Sequence, residues 1–225
     1  MSRGPGSSGG PGRSGPDPAT TARRREAALA GHTGDAERAR ALIADPEPAV
    51  RASALGALAR LGLLGEELLR AGLADPEPAV RTRAAELAPA VGPAVLDRLV
   101  DLLGDTSPAV VEAACFGLGE MGEQARGHHG VTQGLDRVAR RHPDPLCREA
   151  AVAATGAIGD PGGLPAVLDA TGDKPAVRRR AVLALAAFDG PEVDAALQRA
   201  LGDRDRQVRQ AAEDLTGRRP GPPTS

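Results

Sequence analysis

An arginine recurs at near-regular intervals along the chain, and its guanidinium group is the reactive feature that the sequence repeats most often. It follows a valine or a cysteine in five places, and Val111 stands at the equivalent place once; the arginines are Arg51, Arg81, Arg148, Arg178 and Arg209. A row of guanidinium groups could bind the phosphates of a nucleic acid, or each group could pair with one carboxylate. Aspartates recur in step with the arginines, as Asp45, Asp75, Asp105, Asp173 and Asp203. We therefore favour a structural ladder of ion pairs between neighbouring units.

Arg178-Arg179-Arg180 is the strongest local concentration of positive charge within the repeating part of the chain. A phosphate-binding surface needs several basic residues in succession. Glu112 and Glu149 occupy equivalent outward positions and interrupt such a surface, so nucleic-acid binding is an alternative function rather than the favoured one. Residues 22–30 are predicted to form a short leading helix that Gly31 stops, and its run Arg23-Arg24-Arg25 is predicted to be a solvated face of that helix.

Three histidines and a cysteine offer the imidazole and thiolate groups that bind zinc, namely His128, His129, His142 and Cys147. Their spacing matches no strong zinc motif, and Cys147 occupies a position that is valine in the other units. Cys147 is therefore predicted to be a core residue, and His128 and His129 to lie in a mobile insertion loop. We predict no metal and no cofactor.

The composition favours some classes of function over others. Among 225 residues, 26% are charged and the net charge is only -2, which gives no overall attraction to nucleic acid or to an anionic membrane. Two Phe, no Tyr and no Trp leave few side chains on which bases or flat cofactors could stack. Two cysteines are too few for a disulfide framework, and no apolar run is long enough for a membrane span. These features predict a cytoplasmic protein.

The elements that must position these residues are repeated. Asp45-Pro46-Glu47-Pro48-Ala49-Val50-Arg51 recurs thirty residues later, beginning at Asp75. Six anchor positions follow spacings of 30, 30, 37, 30 and 31 residues, and they are Val50, Val80, Val110, Cys147, Val177 and Val208. Residues four, seven and eleven positions after the anchors are small or apolar almost throughout, which is the spacing of one helix face. The pattern predicts a stacked array of helical repeats.

The ends of the helices are also visible in the sequence. Asp45 and Asp75 stand where a helix N-cap is expected, and prolines follow in the first turn. Glycines follow the far end of the same helices, at Gly62, Gly92, Gly122, Gly159 and Gly190, where left-handed caps are expected. A second amphipathic segment precedes each of these helices, at 36–44, 66–73, 94–103, 131–141, 164–170 and 192–201. Each unit is thus predicted to be an antiparallel helix pair.

At this period, with Asp-x-x-x-x-Val-Arg opening the second helix, the chain resembles HEAT repeats, and more narrowly the short bacterial type of phycobilisome-lyase-like proteins. The resemblance implies an all-α, right-handed α-solenoid of about six helix pairs. We place the solenoid at residues 21–217. Residues 1–20, rich in Gly, Ser and Pro, and residues 218–225 are predicted to be disordered tails.

The lyase resemblance raises an enzymatic alternative, a subunit of the bilin-lyase type. A bulky flat chromophore would find few aromatic side chains here, and we find no phosphate loop, Ser-His-Asp set or paired-carboxylate motif. We therefore predict that the protein is not an enzyme.

Binding by a surface remains as the favoured function. Second helices of such repeats usually line the concave side, and the outward positions there are mostly small. Phe116 and Leu183 are larger apolar residues among them, and they either anchor a partner or complete the packing between units. We predict a scaffold that binds a protein helix or extended peptide, with no membrane partner, through Thr82, Glu86, Glu112, Phe116, Glu149, Arg179 and Leu183.

Overall fold

The computed structural model of the protein describes residues 17–217, and within that range the chain is an all-α solenoid. It holds thirteen α-helices and no strand among those residues. The helices are α1 (Pro18–Thr33), α2 (Ala36–Ala41), α3 (Pro48–Arg60), α4 (Glu66–Leu73), α5 (Pro78–Leu87), α6 (Leu96–Leu102), α7 (Pro108–Met121), α8 (His129–Arg141), α9 (Pro145–Ile158), α10 (Leu164–Ala170), α11 (Pro175–Ala184), α12 (Pro191–Leu201) and α13 (Arg206–Thr216). No helix in this part of the chain is long and apolar enough to cross a membrane.

The helices form six pairs after α1, which confirms the predicted repeat. In the first five pairs the first helix, such as α4, is the shorter one and the second helix, such as α5, starts with proline; in the last pair the two helices have equal length and α13 starts with Arg206. The segments predicted as 66–73 and 164–170 coincide with α4 and α10. All five glycines predicted to end the second helices have positive φ, from +51° at Gly122 to +124° at Gly190. Glycine adopts these values without strain, so the backbone can turn there after each second helix.

The repeated apolar positions form the core. All six anchors are at most 1% exposed, and the alanines four residues after them, from Ala54 to Ala212, are fully buried. The sequence spacing therefore identified the inward face of every second helix.

The second helices contact one another more extensively than the first helices do, so they form the inner layer of the array. Glycine makes part of this close approach possible. A Cβ on Gly117 of α7 would lie 2.6 Å from the carbonyl oxygen of Ala85 on α5, which is closer than any real Cβ contact. A Cβ on Gly156 of α9 would lie 2.7 Å from Cβ of Ala184 on α11.

The first helix differs from its prediction. We expected a leading helix over 22–30 that Gly31 stops and a disordered tail up to residue 20, but α1 runs from Pro18 to Thr33 and ends at Gly34, where φ is +83°. Gly31 is buried instead within α1, at a close contact with α3. A Cβ there would lie 2.8 Å from Cα of Ala57. Helix α1 thus packs on α3 as a second helix of a preceding unit would. Residues 1–16 and 218–225, which hold the rest of the predicted tails, lie outside the described residues.

The extra residues of the long spacing are anchored to the following unit. They form a 3-10 turn at Gly122–Ala125 and lengthen α8. Arg126 Nε donates to the Ile158 carbonyl at 3.1 Å, and the Gly127 amide donates to the Asp160 carboxylate at 2.9 Å. The predicted loop is therefore wrong for His129, which begins α8, and the residues before it are hydrogen-bonded to the end of α9.

Candidate functional site

Four of the recurrent arginines each grip an aspartate of the following unit. Nε and one terminal nitrogen of Arg51 donate to the two carboxylate oxygens of Asp75, at 2.8 and 2.7 Å. The same two-point contact joins Arg81 to Asp105, Arg148 to Asp173 and Arg178 to Asp203, at 2.7 to 3.0 Å. These side chains are only 6% to 20% exposed, so solvent screens the pairs little. We call the four pairs the rungs.

Each rung also organises the start of a second helix. Arg51 donates to the backbone carbonyl of Asp45, and the Asp45 carboxylate accepts from the Glu47 amide at 2.9 Å. The predicted N-cap role of Asp45 and Asp75 is therefore wrong, because Glu47 and Glu77 are the N-caps of α3 and α5 and each aspartate accepts from the amide two residues later. Arg209 makes only the local contact, to the Asp203 carbonyl at 2.7 Å, because no unit follows α13 within the described residues.

A fifth ion pair, not predicted from the sequence, extends the series at the start of the array. Arg23 Nε lies 2.9 Å from the Asp45 carboxylate, so Arg23 is not the solvated residue that its charge run indicated. The sequence pattern did not identify Arg23, because alanine rather than valine precedes it and its distance along the chain from its aspartate differs from that of the other pairs.

The series is interrupted between the third and fourth units, where both partners change. Val111 replaces the arginine and is fully buried, and His142 stands where the aspartate is expected. Nδ1 of His142 accepts from the Asp144 amide at 3.1 Å, as an aspartate oxygen does in the other units. The imidazole therefore forms the same turn before α9 that an aspartate forms in the other units, but there is no arginine at position 111 with which it could pair.

The rungs shift the acidity of their aspartates. The hydrogen bond from Arg178 lowers the pKa of Asp203, and that from Arg148 lowers the pKa of Asp173, against the opposing effect of burial. Burial is the largest effect on Asp75 and raises its pKa, but the hydrogen bonds from Arg51 and the Glu77 amide together outweigh it, so the pKa is lowered. Asp105 follows Asp75, with Arg81 and the Ser107 amide.

A groove runs along the second helices from α1 to α11. Four adjoining depressions form it, and neighbours share lining residues: Thr82 and Glu86, then Glu112 and Phe116, then Ala153 and Arg180. Its floor is made of small residues such as Ala52, Gly119 and Ala157. We call this surface the second-helix groove.

The middle of the groove is a depression of about 400 Å³ between α7 and α9. Phe116 is 52% exposed there and Leu146 is 57% exposed, although both are large apolar residues. About half of Phe116 is therefore in solvent, which favours an anchor for a partner over the alternative interpretation, packing between units. Leu146 was not predicted, because the other units have alanine or glutamine just before the anchor.

The structure brings most of the predicted partner-binding residues to this groove. Thr82, Glu86, Glu112, Phe116, Glu149 and Leu183 line it. Leu183 is half-buried and packs against the core, so it protrudes less than Phe116. Arg179 is exposed but is not among the lining residues, and Arg180 lies there instead, with a nitrogen 3.3 Å from the Glu149 carboxylate.

The charge of the groove changes sign along its length. Arg24, Arg60 and Arg83 line the part between α1 and α5, where Arg83 pairs with Glu86. Glu112, Glu120 and Glu149 line the middle. Glu112 and Glu120 are exposed and form no ion pair with any described residue.

The residues considered for metal binding are kept apart. His128 and His142 flank opposite ends of α8, which its thirteen residues separate by about 20 Å. Nε2 of His128 lies 3.2 Å from the Asp97 carboxylate on α6, and Cys147 is buried with its thiol on the Pro108 carbonyl. Burial raises the pKa of Cys147 to about 11, so the thiol stays protonated near neutral pH.

Comparison with known proteins identifies the repeat family of the chain. The family model for HEAT repeats matches residues 66–129 and 131–215, more than half of the chain. No curated protein matches it.

Several solved structures share the fold. A designed armadillo repeat protein in complex with the peptide (KR)4 has a TM-score of 0.57 and 16% identity, covering 80% of this chain and 97% of its own. YibA of Escherichia coli has a TM-score of 0.61 and 16% identity, covering 90% and 76%. An engineered protein has a TM-score of 0.59 and 20% identity, covering 89% and 64%. At these identities the likeness is one of fold.

Proposed function

This chain belongs to the HEAT-repeat family, and from that premise we propose that it is a protein-interaction module that binds a helix or an extended peptide in the second-helix groove. One observation carries the proposal: Phe116 and Leu146 are each more than half exposed and line the same depression in the middle of the groove. Large apolar side chains at the centre of a depression, surrounded by polar ones, are typical of binding hot spots.

The fold is suited to this use. A repeat solenoid presents an extended surface in which each unit adds a similar strip, and a ligand can lie along several strips at once. The designed armadillo repeat protein of similar fold holds the peptide (KR)4.

The nucleic-acid alternative is less consistent with the side-chain positions. Two residues of the basic run form ion pairs, Arg178 with Asp203 and Arg180 with Glu149. Arg179 is then the one arginine of the run that could bind a phosphate without breaking an ion pair. The three glutamates in the middle of the groove would repel phosphate.

The bilin-lyase alternative also has little support here, and the narrower lyase-like subtype stays a prediction. Phe188 is 6% exposed, so Phe116 is the phenylalanine available to a flat ligand. Burial raises the pKa of Cys115 well above its usual range, which disfavours it as a nucleophile.

A random peptide library displayed on phage tests the proposal. We expect panning against the immobilised protein to enrich peptides that bind it and that lose binding to the Phe116→Arg variant. The variant should keep its helicity and lose less than about 1 kcal/mol of unfolding free energy, because the replaced side chain is half in solvent.

Leu63→Arg is the matched control, since Leu63 is 37% exposed and does not line the groove. It should bind the selected peptides as the unchanged protein does. No enriched peptide, or equal binding to both variants, would contradict the proposed function. Severe destabilisation by Phe116→Arg would instead move the test to Leu146→Ser.

A further inference from the structure

We propose that the middle of the second-helix groove recognises a cationic amphipathic segment of a partner protein. Apolar side chains of the segment would contact Phe116 and Leu146, and its lysines or arginines would face Glu112, Glu120 and Glu149. The inference rests on the proposed function, because it specifies the chemistry of the peptide that the groove binds.

The apolar part of the segment follows from exposure. Four large apolar residues in the described part of the chain are exposed, and two of them, Phe116 and Leu146, line the same depression of about 400 Å³. They project from neighbouring helices, α7 and α9, over a floor of alanine and glycine. A depression of this volume can hold a ligand residue of the size of leucine.

The charge of the segment follows from the positions of the carboxylates. Glu112 and Glu120 lie four residues before and four residues after Phe116 on α7, so all three share one helix face. Both glutamates are exposed and have no ion-pair partner among the described residues. On α9, Glu149 is paired with Arg180 at 3.3 Å, so the unpaired carboxylates here are those of Glu112 and Glu120. The apolar pair is therefore bordered by more negative than positive charge, and a cationic ligand is favoured over an anionic one.

The acidic character is local, which limits where the segment binds. Toward α1 the groove presents Arg24 and Arg60, and neither pairs with a described carboxylate. A cationic segment that shifted toward that end would meet like charge. The change of sign therefore holds the segment over α7 and α9.

The probe is a labelled synthetic peptide of about 14 residues, with leucines on one helical face and lysines elsewhere. Two matched peptides replace the lysines with glutamate, or the leucines with serine. We expect fluorescence anisotropy at low salt to show at least about tenfold weaker binding for each matched peptide, and weaker binding of the lysine peptide as salt is raised.

Two pairs of charge-removing variants assign the site. Glu112→Gln with Glu120→Gln should weaken binding of the lysine–leucine peptide by about tenfold, because the two unpaired carboxylates that face the ligand are lost. Glu37→Gln with Glu67→Gln, on the first helices α2 and α4, makes the same change in net charge outside the groove and should leave the affinity unchanged.

Several results would overturn the inference. Equal affinity for the glutamate peptide, or equal loss in the two pairs of variants, would show that charge at this site does not select the ligand. Display-selected peptides that need Phe116 but lack basic residues would also overturn it while leaving the proposed function intact. Dimerisation of the free protein that Phe116→Arg abolishes, measured by light scattering, would assign the groove to a second copy of the chain.

Discussion

Gly117 shows how one residue can set the distance between two units. A methyl group there would lie 2.6 Å from a backbone oxygen of α5, so the helices would have to separate. Gly134 on α8 is also buried, but a methyl group there would meet Cδ1 of Leu103, which can rotate away. The two glycines therefore differ in whether the neighbouring atom can move.

We predict that Gly117→Ala lowers the free energy of unfolding by about 1–3 kcal/mol, because the methyl group overpacks a contact between two helix backbones. Gly134→Ala should change it by less than about 1 kcal/mol, since the better helix propensity of alanine offsets the small adjustment of Leu103. Urea denaturation of both variants measures the difference. Equal losses of unfolding free energy in the two variants would mean that the close contact of Gly117 with the Ala85 carbonyl does not limit the approach of α5 and α7.

At the scale of elements, the rungs tie the second helix of one unit to the start of the second helix of the next. The rung is missing between α7 and α9, where Val111 and His142 replace both partners. The anchored turn after α7 connects these units differently, through Arg126 and the Ile158 carbonyl. The array therefore lacks one ion pair of the series, at the junction between its third and fourth units.

Restoring that pair is a prediction at this scale. Val111→Arg alone should destabilise the protein, because a guanidinium would enter a buried position without a partner, and His142→Asp alone should have little effect. Together they should recover about 1–2 kcal/mol relative to the sum of the single changes. A thermodynamic double-mutant cycle measures this coupling, and additive effects would show that the two positions do not meet as in the other units.

At the scale of the whole molecule, the four rungs distribute pH-sensitive stability along the array. Asp75, Asp105, Asp173 and Asp203 each have a lower pKa in the folded protein than an ordinary aspartate, because arginine and backbone donors stabilise their charged forms. The unfolded chain therefore binds protons at a higher pH than the folded chain does.

We predict that the free energy of unfolding stays nearly constant from about pH 7 to 5. Below about pH 4, the ordinary aspartate pKa, it should fall steeply as the pH approaches the lowered folded values. The double variant Arg81→Gln with Asp105→Asn removes one rung, so it should be less stable at pH 7 and lose less on acidification. Chemical denaturation at a series of pH values tests this, and parallel pH profiles would be inconsistent with a rung origin.

The sequence by itself determined the repeat, the helix pairs and the buried faces. Helices α4 and α10 were predicted to the residue, because helical periodicity and end signals act over a few residues. The aspartates and arginines of the rungs could also be identified, since they recur in step with the anchors.

Only the tertiary structure decided how the units face one another. It brought Arg23 to Asp45, placed Arg180 rather than Arg179 beside the groove, and exposed Leu146 in the same depression as Phe116. Each of these depends on the rotation and separation of helices that are distant in sequence, which side-chain packing between units sets. Local sequence patterns record which face of a helix is buried, but they do not record which residue of the next unit that helix meets.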